Sequence, residues 1–157
     1  SVRIYWVQVN WSINILVYIL VIWWGMFWWS SLEKWTFYQF LFVTLYAIVL
    51  FLLATMLFPW KISPDFDFKE NFLKNRGWFF GLQIVAWIID IAETNLKAGM
   101  ELRELPQLYF LEVGLMIILA SIAAFTKNKR FHAFFAPFWL TILLLYLGFT
   151  TLSKIAT

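Results

Sequence analysis

Three carboxylic acids lie in otherwise apolar stretches of the chain, and they are the residues best suited to chemistry. Asp90 follows the apolar run Trp87–Ile89, and Glu93 comes three residues later, so both carboxyls project from one face of a helix. An ionised carboxylate in hydrocarbon is costly unless it is paired, protonated or hydrated. Two carboxyls this close together therefore predict a site that holds a proton or a cation.

Glu112 is the third carboxylic acid, about two turns into a later apolar helix. Because that helix enters the membrane from the face at which the Asp90 helix leaves it, Glu112 is expected near Asp90 and Glu93. Two alternatives stay open. The span that carries Asp90 ends early and leaves this cluster in water, or Glu112 is protonated and bonded to one neighbouring group.

Other reactive chemistry finds little support in the sequence. The chain contains no cysteine and a single histidine, His132, which excludes thiolate sites and a bis-histidine haem within one chain. It contains no phosphate-binding loop, nucleophile-elbow motif or zinc-protease motif. We therefore expect no catalytic residue, no metal site and no cofactor, and the chain is predicted not to be an enzyme. The net charge of +3 is spread over loops, so no nucleic-acid partner is expected.

Small residues at helical spacing predict close helix packing. Gly77 and Gly81 form a GxxxG pattern, and Ala120 and Ala124 repeat that spacing in a later helix. Such residues let two helix backbones approach each other in a membrane.

Two tryptophans, Trp87 and Trp139, fall deep within predicted spans. Most tryptophans in membrane proteins anchor the chain at the lipid headgroups. The alternative is a stacking surface for a bound lipid, quinone, pigment or partner helix.

The elements that position these residues are transmembrane helices. Of the 157 residues, 63% are hydrophobic and 13% are charged, against about 45–50% and about 25% in soluble domains. The expected fold is an all-α, polytopic transmembrane bundle in a single domain, residues 1–157. A helix needs about 20 residues to cross the bilayer, and the predicted spans are 11–29, 36–58, 78–95, 106–125 and 132–152. Residues 60–76 are expected to form an amphipathic interfacial segment or a loop.

Basic residues in the loops predict the orientation. One face holds eight lysines and arginines and the other holds four. The positive-inside rule then places the visible N-terminus in the cytoplasm and the C-terminus outside. The eight are Arg3, Lys61, Lys69, Lys74, Arg76, Lys127, Lys129 and Arg130, and the four are Lys34, Lys97, Arg103 and Lys154.

Three parts of the chain carry a resemblance to known sequences: Val2–Trp6 with Trp23 and Trp24, then Asn75–Phe80, then Ala124–Phe135. They resemble a group of bacterial multi-spanning inner-membrane proteins to which no function is assigned. The resemblance implies a bacterial inner membrane and one further helix before Ser1, which would make six spans. It implies no catalytic or binding residue.

Three functions are compatible with these features. The first is a structural or accessory subunit that packs against itself or against other membrane subunits and lipids. The second is a small proton- or cation-coupled transporter or channel that uses Asp90, Glu93 and Glu112. The third is a lipid or quinone binder that uses Trp87 and Trp139.

Overall fold

Local hydrogen bonds determine where the helices of the chain begin. Thr36 caps a helix through a reciprocal capping box, in which its hydroxyl accepts from the Gln39 amide and the Gln39 side chain accepts from the Thr36 amide. The Asp67 carboxylate accepts from the amides of Lys69 and Glu70, at 2.8 and 3.1 Å, where another helix begins. These side chains satisfy backbone donors that the first helical turn leaves without partners.

The computed structural model describes residues 2–31, 33–59, 61–98 and 107–155. Each of its five helices contains a segment long and apolar enough to cross a membrane. The predicted all-α, polytopic bundle is confirmed, and the chain is a multi-pass membrane protein. The helices are α1 (Trp6–Met26), α2 (Phe37–Leu57), α3 (Phe68–Ala98), α4 (Gln107–Phe125) and α5 (Lys129–Ile155), and a 3₁₀ turn (Phe27–Ser31) follows α1.

The predicted boundaries differ most at α3. The helix begins at Phe68, ten residues before the predicted start at 78, so the second half of segment 60–76 is continuous with the third helix. The Asp67 cap explains the difference, because it allows a helix to start among polar residues. At about 1.5 Å per residue, 31 helical residues measure roughly 46 Å, longer than the hydrocarbon layer of about 30 Å.

Smaller differences occur at the starts of α1 and α5. Helix α1 begins at Trp6 instead of 11, and α5 begins at Lys129 instead of 132. The α1 start includes the polar residue Gln8, whose side-chain amide donates to the carbonyl of Leu57 in α2. This partner explains how the first turns of α1 tolerate a buried amide.

The helices are packed around aromatic side chains near the end of the bundle that carries most basic residues, hereafter the basic end. Trp11 of α1 is fully buried and makes edge-on contacts with Phe79 and Phe80 of α3 and with Phe135 of α5. His132 is also fully buried and stacks on the Phe80 ring. Edge-to-face aromatic pairs contribute about 0.5–1.5 kcal/mol beyond their buried area, so this cluster fixes α1, α3 and α5 relative to one another.

Candidate functional site: an intramembrane carboxylate cluster

The Asp90 carboxylate receives hydrogen bonds from helices on two sides. The hydroxyl of Tyr46 in α2 donates to Oδ1 at 3.2 Å, and the hydroxyl of Tyr109 in α4 donates to Oδ2 at 3.0 Å. The network extends to Tyr18 of α1, whose hydroxyl lies 3.2 Å from that of Tyr46, and to Thr94, 3.4 Å from the Tyr109 hydroxyl. Four helices therefore contribute polar groups to one cluster, hereafter the Asp90 cluster: Asp90, Thr94 and the three tyrosines.

Two tyrosines of the Asp90 cluster lie well inside their helices, whereas Tyr109 is the third residue of α4. Tyr46 is the tenth of the 21 residues of α2, so its backbone lies roughly 14 Å from the Phe37 end of that helix. Tyr18 is the thirteenth of the 21 residues of α1, again away from both helix ends. Both tyrosines are buried, at 0% and 4% exposure. Asp90 is half-buried and sits at the depth of their hydroxyls.

Glu93 lies nearer the opposite end of the bundle from the basic end. It is buried at 4% exposure, and its Oε1 accepts a hydrogen bond of 2.9 Å from the indole nitrogen of Trp29 in the 3₁₀ turn. Although Asp90 and Glu93 are three residues apart on α3, they meet different helices. Spacing in the sequence therefore identified two neighbouring carboxyls. In the structure, each of them accepts hydrogen bonds from different donors.

Glu112 lies on α4, one turn after Tyr109, and is half-buried. Because Tyr109 donates to Asp90, the turn of α4 that carries Glu112 lies next to the Asp90 cluster. Within the residues that the structure describes, no group of three or more histidine, cysteine, aspartate or glutamate side chains is arranged to hold a metal ion.

A second set of buried polar atoms lies between the Asp90 cluster and the basic end. Gln83 is fully buried, and neither atom of its side-chain amide has a hydrogen-bond partner among the described residues. The indole nitrogens of Trp87 and Trp139 and Oδ1 of Asn14 also have none in that part of the chain. Gln83, Trp87 and Asp90 follow one another at intervals of four and three residues, which places them on one face of α3.

The two deep tryptophans form a pair in the interior. The rings of Trp87 and Trp139 meet edge to face with their centroids 5.1 Å apart, and they are 2% and 4% exposed. Tyr18 lies against Trp139, with a centroid distance of 6.4 Å. The two tryptophans predicted to line a lipid or quinone site are thus covered by other parts of the protein.

Only some of the small residues predicted to pack helices together lie where α3 meets α4. A methyl group on Gly77 would lie 3.8 Å from the Ala124 carbonyl, an ordinary van der Waals distance, and Ala120 is fully buried. A methyl group on Gly81 would meet no described atom within 4 Å. Gly77 is therefore the position of the GxxxG pattern that approaches α4.

Sequence reasoning missed the tyrosines and Trp29, which supply the donors. One feature could have identified Tyr46: it stands in the middle of a 21-residue apolar helix, whereas tyrosine in membrane helices favours the interface, where its hydroxyl finds a partner. Asn14 donates from Nδ2 to Asn10 at 3.0 Å and to the Ala136 carbonyl of α5 at 2.9 Å.

Comparison of the chain with models of protein families, with curated proteins and with solved structures gives no match. The function is therefore inferred from the geometry of the Asp90 cluster.

Proposed function

We propose that this protein is a small proton-coupled membrane carrier in which Asp90 binds and releases the proton. The observation that carries the proposal is an Asp90 carboxylate within a bundle of apolar helices, with a tyrosine hydroxyl from a different helix on each oxygen. Ionisable residues inside membrane helices typically mark proton or ion pathways, because their cost is otherwise selected against. The proposal includes no enzymatic activity.

The donors around Asp90 favour a proton over a metal cation. A carboxylate whose two oxygens each accept an O–H group is stabilised in its ionised form, and protonation requires only that one hydroxyl turn away. A cation would require both hydroxyls to turn and present their oxygens to it. A dedicated cation site also needs several further oxygen ligands.

The buried polar atoms between Asp90 and the basic end support a route for the proton. Buried polar groups in proteins are nearly always hydrogen-bonded, to water where no protein group is in reach. Gln83 has an amide with no partner among the described side chains and backbone, and the indole of Trp87 lies between it and Asp90 on the same helix face. We infer that internal water at these atoms extends the polar network from Asp90 as far as the aromatic cluster near the basic end.

We propose that the protein lies in a bacterial inner membrane with its basic end in the cytoplasm. Eight of the twelve basic residues belong to that face, which the positive-inside rule assigns to the cytoplasm. In this orientation Asp90 takes its proton from the outer side through the region of Glu93 and Glu112, and release to the cytoplasm requires the aromatic cluster beyond Gln83 to open.

The test is charge displacement after a pH jump, recorded from proteoliposomes adsorbed on a solid-supported membrane. We expect a transient current in the wild type, because the proton moves through part of the membrane field before it reaches Asp90. Asp90→Asn is expected to abolish the current and Asp90→Glu to retain part of it. Asp65→Asn, the same change in an exposed loop residue, serves as the matched control. A wild-type trace equal to that of empty liposomes, or a current unaffected by Asp90→Asn, overturns the proposal.

A structural or accessory subunit is the second candidate. It is favoured by one observation: hydrogen bonds of the Asp90 cluster link α1, α2, α3 and α4. Such links would also be expected if the cluster only stabilised the fold. In that case the pH jump gives no current, and Asp90→Asn leaves any assembly with other membrane subunits intact.

A further inference from the structure

The first turns of α3 and the turn between α4 and α5 form a groove at the basic end. Five cationic side chains line it, against the two acidic side chains of Asp67 and Glu70. Asp67 is already engaged as the cap of α3. The cationic residues are Lys69, Lys74, Arg76, Lys127 and Lys129.

Two of these cations come from different helices. Lys69 in α3 and Lys129 in α5 both line the groove. Like charges that line one groove repel each other, and an anion bound between them relieves that repulsion. Since Lys69 and Lys129 belong to separate helices, the fold itself brings them together.

Arg76, which lines the groove, is held in position by two backbone carbonyls. Its guanidinium donates to the Phe125 carbonyl at the end of α4, at 3.1 Å, and to the Leu73 carbonyl. The cation is thus positioned at a helix C-terminus, where positive charge is favoured. Its Nε has no partner within the described part of the chain.

Apolar surface lies directly beside the cations. Trp78 is 74% exposed and lies one turn after Lys74 on the same face of α3. Phe125, whose carbonyl accepts from Arg76, is 85% exposed at the end of α4. A ligand that is anionic at one end and apolar at the other would contact both parts. A free phosphate ion would gain nothing from the apolar part.

We propose that this groove binds the phosphate of an anionic phospholipid, with the headgroup between Lys69 and Lys129 and an acyl chain along Trp78 and Phe125. Basic pockets between helices at a membrane face suit phosphate headgroups, and each nearby lysine or arginine favours anionic lipid. The proposal is independent of the role of Asp90.

The test is native mass spectrometry of the delipidated full chain in detergent, titrated with phosphatidylglycerol or with phosphatidylcholine of the same acyl chains. We expect phosphatidylglycerol to bind at least tenfold more tightly. Lys69→Gln with Lys129→Gln is expected to remove most of that preference, since two cations near the headgroup are lost. The matched control, Lys34→Gln with Lys61→Gln, removes the same charge from exposed positions outside the groove.

Three results would overturn the proposal. The first is equal binding of the two lipids, and the second is equal loss of preference in both double variants. The third is competition by inorganic phosphate as effective as competition by the lipid, which would assign the groove to a soluble anion. Thermal unfolding of the groove variant in the same detergent verifies that any lost binding does not reflect lost fold.

Discussion

The hydroxyl of Tyr46 is the most sharply testable part of the Asp90 cluster. Tyr46→Phe removes only this hydroxyl, and with it the contacts to the Tyr18 hydroxyl and to Asp90, both at 3.2 Å. Because the ring is fully buried and remains in place, the variant creates almost no cavity. Any loss of stability then reports on the hydrogen bonds.

The expected magnitude follows from the type of bond. Hydrogen bonds between membrane helices average about 0.6 kcal/mol, and bonds to a charged group are roughly twice as strong. The bond to Tyr18 belongs to the first kind and the bond to Asp90 to the second. The loss should therefore be about 2 kcal/mol, a change of roughly 30-fold in the unfolding equilibrium.

The assay is reversible unfolding in mixed micelles with increasing SDS. The matched control is Tyr38→Phe, the same change in the same helix at a side chain that is 81% exposed. Repeating Tyr46→Phe in an Asp90→Leu background should reduce its cost to about 0.6 kcal/mol, because only the bond to Tyr18 is then lost. The reasoning is refuted if Tyr46→Phe and Tyr38→Phe cost the same, or if the cost of Tyr46→Phe is unchanged when Asp90 is absent.

Two further variants test the rest of the architecture by the same unfolding assay. Trp29→Phe should cost about 1–2 kcal/mol, since it leaves the buried Glu93 carboxylate without the indole donor. Trp23→Phe, at a side chain that is 70% exposed, should be nearly neutral, and equal losses in the two would show that this hydrogen bond contributes nothing. Leu53→Ala should cost about 2–5 kcal/mol, because Leu53 is fully buried in α2. The same change at the half-exposed Leu45 should cost less than 1 kcal/mol if α2 faces lipid on that side, and a reversed order would place the wrong face of α2 in the core.

The number of spans could be predicted from sequence because the bilayer imposes a length on every apolar run. The second and fourth predicted spans end within one residue of α2 and α4 at both ends. The third predicted span began ten residues too late, because a prediction based on hydropathy excludes a helical segment as polar as residues 68–76. The Asp67 cap was the local feature that marked the true start.

The candidate site was predictable only in part. A carboxylate in an apolar stretch is visible in one sequence, so Asp90 and Glu93 could be selected from spacing and cost alone. Their donors could not be selected in this way. Tyr46 and Tyr109 lie 44 and 19 residues from Asp90 along the chain, and only the packing of α2 and α4 against α3 brings them together.

The central claim is that Asp90 is a protonation site inside the membrane, and infrared difference spectroscopy tests it most directly. The protein in liposomes would be titrated with pH while the carbonyl stretch of protonated carboxylic acids is recorded. The account predicts a pH-dependent band that disappears in Asp90→Asn, shifts in frequency in Tyr46→Phe and persists in Asp65→Asn. A spectrum in which no band depends on Asp90 over the range in which the protein stays folded would contradict it.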